Sequence, residues 1–294
     1  RLRADAPRQI NPRRRGVLKN MELISENRSF GGRQQVFRHP SNTCGCEMTF
    51  AAYLPPQAEF GPVPVLWYLS GLSCTHENAM TKAGFQEHAA KHGLAVIFPD
   101  TSPRGAGVSD DESYDLGQGA GFYVNATRDP WKSHYRMYDY IVSELRSVVM
   151  SNLPVQDRHG ITGHSMGGLG AITIAIRNAD LFESLSAFAP IAHPTQSDWG
   201  RKQLSAYLGD DESTWAEYDA TLLLEEHGWK GDMLVDQGSR DQFLDLLKPE
   251  ALADMMARRR QPGQVRIQDG YDHSYFFVNS FAGDHVAWHA GRLN

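Results

Sequence analysis

Gly163, Ser165 and Gly167 form the pattern G-x-S-x-G in "GHSMG", after a short apolar run and before a helical one from Leu169 to Asn178. Strand, tight turn and helix in that order make a nucleophile elbow. The serine is held on a strained turn between residues too small to clash. Ser165 is therefore a candidate nucleophile. Its hydroxyl needs a base to take the proton, and the base needs a carboxylate to orient it. With such elbows both partners lie downstream, acid before histidine. "VDQGSRDQF" offers Asp236 and Asp241, and "DGYDHSYFF" offers His273 in a turn between a strand and a helix. Asp241 is preferred because it sits on the loop past Gly238, free to reach His273. Asp236, within or at the end of the strand, remains the alternative. Acyl transfer also needs donors aimed at the developing oxyanion. The backbone N–H of Met166 is one candidate. The other is Leu72 N–H in "YLSGLSC", with Gly71 allowing close backbone approach.

These groups must be carried by a scaffold, and the hydrophobic pattern describes one. Residues 33–38 and 48–54 read as antiparallel strands around the turn "HPSNTCGC", and Pro55-Pro56 ends the second. Continuous apolar runs at 63–69 and 94–100, a weaker one at 159–163, and runs at 232–238 and 264–270 read as strands of a buried parallel sheet. Helical patterns separate them, roughly over 83–92, 134–151, 167–178, 246–261 and 274–291. The alternation predicts an α/β fold, with a mostly parallel central sheet, helices on both faces and an N-terminal antiparallel hairpin. Residues 101–133 and 193–230 break the alternation and read as functional insertions over one end of the sheet.

The 294 residues, 41% apolar, suffice for one large domain with a sizeable core and exclude a disordered chain. The formal charge of −6 is uneven. Residues 1–20 carry seven Arg or Lys against Asp5, which leaves an acidic body and argues against nucleic acid as a partner. The basic head is read as a non-native or disordered extension, with Met21 as the natural start and 21–294 as a single domain; Pro7 and Pro12 weigh against a transit-peptide helix. No apolar run is long enough to span a bilayer. Three cysteines, Cys44, Cys46 and Cys74, make no disulfide framework and suggest a reducing, cytoplasmic setting. His88/His92 and His285/His289 have helical metal-ligand spacing without a third ligand and are expected to be exposed histidines. Cys44 and Cys46 are read as unpaired turn thiols, and "GAGFY" as no nucleotide loop.

Beyond the single motifs, "MELISENRSFGGRQ", "YLSGLSCTHEN", "GAGFYVNATRDPW", "YRMYDY", "GHSMGG", "DQGSRDQF" and "GYDHSYFF" occur in one order. Together they resemble the S-formylglutathione hydrolase, or esterase D, family from Met21 to Asn294. The resemblance implies an α/β-hydrolase that cleaves S-formylglutathione to glutathione and formate in formaldehyde detoxification. A short-chain carboxylesterase with another substrate is the alternative. The family's triad maps onto Ser165, Asp241 and His273, its cysteine near the active site onto Cys74, and its Trp-Gly near the acyl pocket onto Trp199 and Gly200. Gly71, Cys74 and Trp199 are thus the substrate-binding candidates. The resemblance further implies a homodimer and no metal or organic cofactor. The chain departs from the family pattern at Ala192-His193-Pro194 and at Asn125, which bears on acyl-pocket shape and glutathione contacts.

Overall fold

The computed structural model describes residues 20–294; apart from Asn20, the basic segment read as an extension lies outside the described residues. Along the chain, β1 (Glu22–Ser29), β2 (Gly32–Ser41) and β3 (Cys46–Leu54) form an antiparallel meander. β4 (Val63–Leu69), α1 (His76–Lys82), α2 (Phe85–His92) and β5 (Ala95–Pro99) follow. Beyond a long loop, α3 (Met137–Asp139) continues through wider π-type turns at Tyr140–Leu145 into α4 (Arg146–Asn152). Then come β6 (Val155–Gly163), α5 (Met166–Arg177) and β7 (Phe182–Phe188). The second insertion carries α6 (Asp198–Leu208) and α7 (Ala220–His227). The order ends with β8 (Met233–Gly238), α8 (Leu244–Leu247), α9 (Pro249–Arg259), β9 (Gly263–Gln268) and α10 (Tyr275–Leu293).

All nine strands join one sheet in the order β1-β2-β3-β5-β4-β6-β7-β8-β9. From β5 to β9 the pairing is parallel, and β3 joins β5 antiparallel. This is an α/β-hydrolase sheet with an N-terminal antiparallel edge. The runs "VPVLWYL" and "AVIFP" are buried at every position, as strands covered on both faces must be. α5 packs against β4, β6 and β7, while α10 with α2 covers the opposite face.

Two strands and three helices go beyond the sequence pattern. β1 is an edge strand exposed along almost its whole length, so burial left no alternation to read. It is held by its ladder to β2 and by Arg38 donating to Glu22 at 2.9 Å. β7 reads "FESLSAF", where Ser184 and Ser186 interrupt the apolar run although both are buried. α1 is announced by a capping box between Thr75 and Asn78, and α6 and α7 by the caps Ser197 and Asp219.

The β7 serines explain a correction. His285 and His289 are fully buried, not exposed, and satisfy those serines from α10. His289 meets Ser184 Oγ at 2.7 Å and Ser186 Oγ at 2.8 Å; His285 Nδ1 meets Ser186 Oγ at 2.8 Å and its Nε2 reaches Asp236 at 3.1 Å. Ser186 in turn donates to Thr162 at 2.8 Å. Burial lowers the pKa of both histidines, opposed at His285 by Asp236. Among the described residues no group of three or more His, Cys, Asp or Glu is arranged to hold a metal ion.

Asp236 closes this network, receiving Arg266 Nε and Nη2 at 2.6 Å each. Burial alone would raise its pKa, but the hydrogen bonds from Arg266 and His285 outweigh it and hold the carboxyl at about 2. Its folded pKa lies below the ordinary value of 3.8, so the stabilisation is complete above that value and is lost as pH falls towards 2. The shift corresponds to about 2 kcal/mol. Asp236→Asn is expected to lower stability at pH 7 by about 2–4 kcal/mol, because Arg266 loses its buried partner and keeps only the exposed Asp284. Urea unfolding at pH 7 and at pH 3 measures it. The variant's stability should then change less between those pH values than the parent's, and an equal slope would refute the assignment.

Candidate active site

Ser165 caps α5 with φ 59° and ψ −119°, a left-handed φ that a residue bearing a Cβ adopts only under constraint. The constraint is visible. Ser165 N–H donates to Phe188 O at 2.9 Å, His164 N–H to Leu69 O at 3.0 Å, and Gly167 N–H to His164 O at 2.8 Å. A Cβ on Gly163 would overlap Gly167 O, and one on Gly167 would overlap Leu69 O. A methyl on Gly170 would come within 2.6 Å of the Tyr123 ring. The turn is therefore closed by backbone on two sides and by the Tyr123 ring on a third.

The structure brings Asp241, not Asp236, to His273. His273 Nδ1 donates to Asp241 Oδ2 at 2.6 Å, since a carboxylate can only accept. Asp241 is itself fixed, taking Phe243 N–H on Oδ1 at 2.8 Å and Gln237 Nε2 on Oδ2 at 2.9 Å. His273 sits in the β9–α10 turn, directly before the α10 cap Ser274, whose hydroxyl and amide both donate to Asp272. Its ring is flanked by Phe243 at 5.1 Å and by His164 at 4.5 Å. His164 adjoins Ser165 and is fully buried, which drives its pKa well down and keeps it uncharged. Among the described residues Ser165 Oγ makes no hydrogen bond to His273. Such bonds often tighten only when substrate is bound.

The loop after β4 lies against the elbow. A Cβ on Gly71 would stand 3.0 Å from Ser165 Cβ and 3.1 Å from His164 O, so any larger residue would push the loop and the elbow apart by a few tenths of an ångström. Cys74 N–H donates to Gly71 O at 3.0 Å. Cys74 O accepts from Thr101 Oγ1 at 2.5 Å and from Arg104 Nη2 at 2.9 Å, and Arg104 is clamped on buried Asp100 by two contacts of 3.0 Å. That support lies in "PDTSPRG", where an i,i+4 Asp–Arg pair after a strand was the available signal. The amides of Leu72 and Met166 engage no acceptor among the described residues; Met166 opens α5, where a helix has no internal partner to offer.

The remaining candidates occupy different places. Cys74 is half-buried with Sγ 3.8 Å from Tyr275 OH. Burial raises its thiol pKa against the opposing Tyr275 contact, which makes it less reactive than an exposed thiol. Trp199, in the first turn of α6, lies with its ring 6.2 Å from Phe122 and its buried Nε1 without a partner among the described residues. Gly200 is required because a Cβ would overlap Pro194 O. Asn125 serves the scaffold, its Oδ1 accepting Asp139 N–H at 3.1 Å. Cys44 and Cys46 are both free. Sequence reasoning missed His164, Gln237 and the Asp100–Arg104 clamp as supports of the site.

Comparison with known proteins identifies the family. Residues 41–292 match a family model described as "Putative esterase". The chain is 65% identical over 273 residues to an S-formylglutathione hydrolase of Paracoccus denitrificans, covering 92% of this chain and 98% of the relative. It is 50% identical over 279 residues to one of Mus musculus, covering 93% and 99%. An S-formylglutathione hydrolase structure from Agrobacterium tumefaciens superposes with a TM-score of 0.91 at 46% identity, over 92% of this chain and 99% of that one. The chain belongs to the esterase family that contains these S-formylglutathione hydrolases.

Proposed function

We infer that this protein is a serine thioesterase that hydrolyses S-formylglutathione to glutathione and formate. The observation that carries the mechanism is the 2.6 Å contact between His273 Nδ1 and Asp241 Oδ2, beside a serine held at positive φ. The substrate follows from the relatives' names and from the extent of the match. Asp241 fixes the His273 tautomer, leaving Nε2 to take the Ser165 proton as Oγ attacks the formyl carbon. The oxyanion is met by Leu72 and Met166 N–H. Collapse expels the glutathione thiolate, and the proton on His273 passes to that sulfur or, if the thiolate leaves without it, to solvent, which returns the imidazole to its neutral form. A water activated by the same histidine then releases formate from the acyl-enzyme.

Gly71, Cys74 and Trp199 are read as walls of the acyl and thiol subsites. The reading also takes residues 21–294 as one domain and the working form as a cytoplasmic homodimer. Three cysteines free of disulfides are consistent with a reducing compartment, and light scattering reads the dimer directly.

Two substitutions test the assignments. Ser165→Ala is expected to abolish fluorophosphonate labelling and to lower kcat on S-formylglutathione by at least about a thousandfold, as for other nucleophile deletions; labelling that survives would remove Ser165 from its role. In the parent, an S-formylglutathione kcat/KM no higher than that for short aryl esters would favour the general carboxylesterase instead. Gly71→Ala pushes the oxyanion loop off the elbow, so kcat should fall on the order of a hundredfold. Its melting temperature should move by only a few degrees, measured by scanning fluorimetry.

A further inference from the structure

A second aspartate–histidine pair lies outside the triad, on the segment that leaves β7. His193 Nδ1 is 2.8 Å from Asp219 Oδ2 and 3.0 Å from Oδ1. Asp219 is fully buried, and its remaining sites are filled by Thr195 N–H and Oγ1 and by the N–H groups of Thr221 and Leu222. A carboxylate so surrounded accepts from His193, which fixes Nδ1 as the donor. In the neutral ring Nε2 is then an acceptor. It has no hydrogen-bond partner among the described residues, and the side chain keeps 14% of its surface.

The pair is also close to the site. Ile191 N–H donates to Ser165 O at 3.3 Å, and Ala192 N–H to Leu247 O at 2.7 Å, just beyond the Asp241 loop. His193 follows directly, so its Cα lies within roughly 12 Å of the serine carbonyl at the reach of an extended chain. From Ser184 to Ala192 every residue is buried, and His193 is the first to reach solvent. A buried carboxylate that orients an imidazole, with the far nitrogen unclaimed at the rim of a site, is a preorganised acceptor.

We propose that His193, oriented by Asp219, is a specificity-determining residue that accepts a hydrogen bond from an N–H group of the peptide part of the thioester. An extended tripeptide thiol carries amide and ammonium N–H groups at up to about this distance from its sulfur. The dyad's carboxylate suits the ammonium by charge. The inference rests on the thioesterase reading above and adds to it the recognition of the leaving group.

The test uses the full-length enzyme and two variants. His193→Phe keeps the ring volume without either nitrogen. His193→Asn keeps a donor for Asp219 but places no acceptor where Nε2 stood. In both, KM for S-formylglutathione and the inhibition constant of free glutathione against aryl-ester hydrolysis should rise roughly three- to tenfold, the worth of one hydrogen bond. The effect on kcat should be smaller than that on KM. Unchanged KM and inhibition constants in either variant would overturn the assignment. So would a loss confined to kcat and accompanied by a lower melting temperature, which marks a structural role. Failure of the parent itself to prefer S-formylglutathione is read without any variant and removes the functional reading together with this one.

Discussion

The site depends on a steric closure at the β6–α5 turn. Ser165 holds a positive φ because the neighbouring strands leave it no other conformation: Phe188 and Leu69 carbonyls take its amide and that of His164, and the space beside it is filled by backbone. Such a conformation costs of order 1–3 kcal/mol and persists only when the surroundings over-determine it. Three adjacent strands, β4, β6 and β7, do so here. The same closure fixes where everything else must come from. The loop after β4 meets the serine at Gly71, and His273 comes from the end of β9.

Around that turn the supports differ in kind. The loop after β4 is tied by a charged clamp, in which Arg104, held by Asp100, donates to the Cys74 carbonyl. Asp241 is held by neutral donors, Gln237 Nε2 and the Phe243 amide. His273 is held by rings on two sides and by Asp241 at one nitrogen, which leaves the other nitrogen without a partner among the described residues. Each support leaves the reacting groups free of competing hydrogen bonds, as preorganised electrostatic catalysis requires.

Much of this was legible in the sequence because the chemistry and the local geometry share residues. The glycines of "GHSMGG" mark the elbow because only they fit it, and "VPVLWYL" marks a central strand because both faces are buried. Legibility failed where a residue's environment is supplied by a distant segment. Ser184 and Ser186 interrupt the apolar run that would have marked β7, and nothing nearby shows that His285 and His289 satisfy them a hundred residues later. The same blindness made those histidines look exposed. β1 escaped because an edge strand open on both faces carries no periodic burial. The choice between Asp236 and Asp241 rested on loop position, and the structure gives the physical reason: Asp236 is already committed to Arg266.

His285 and His289 also have a bearing on α10, the helix that begins two residues after His273. They moor its middle and end to β7 and β8 from inside the core, while Ser274 caps its start. The turn that carries the imidazole is thus suspended between two rigid bodies, the sheet and a helix fastened to it. The conformational entropy of that side chain is lost once, when the chain folds, and not again at each encounter with substrate.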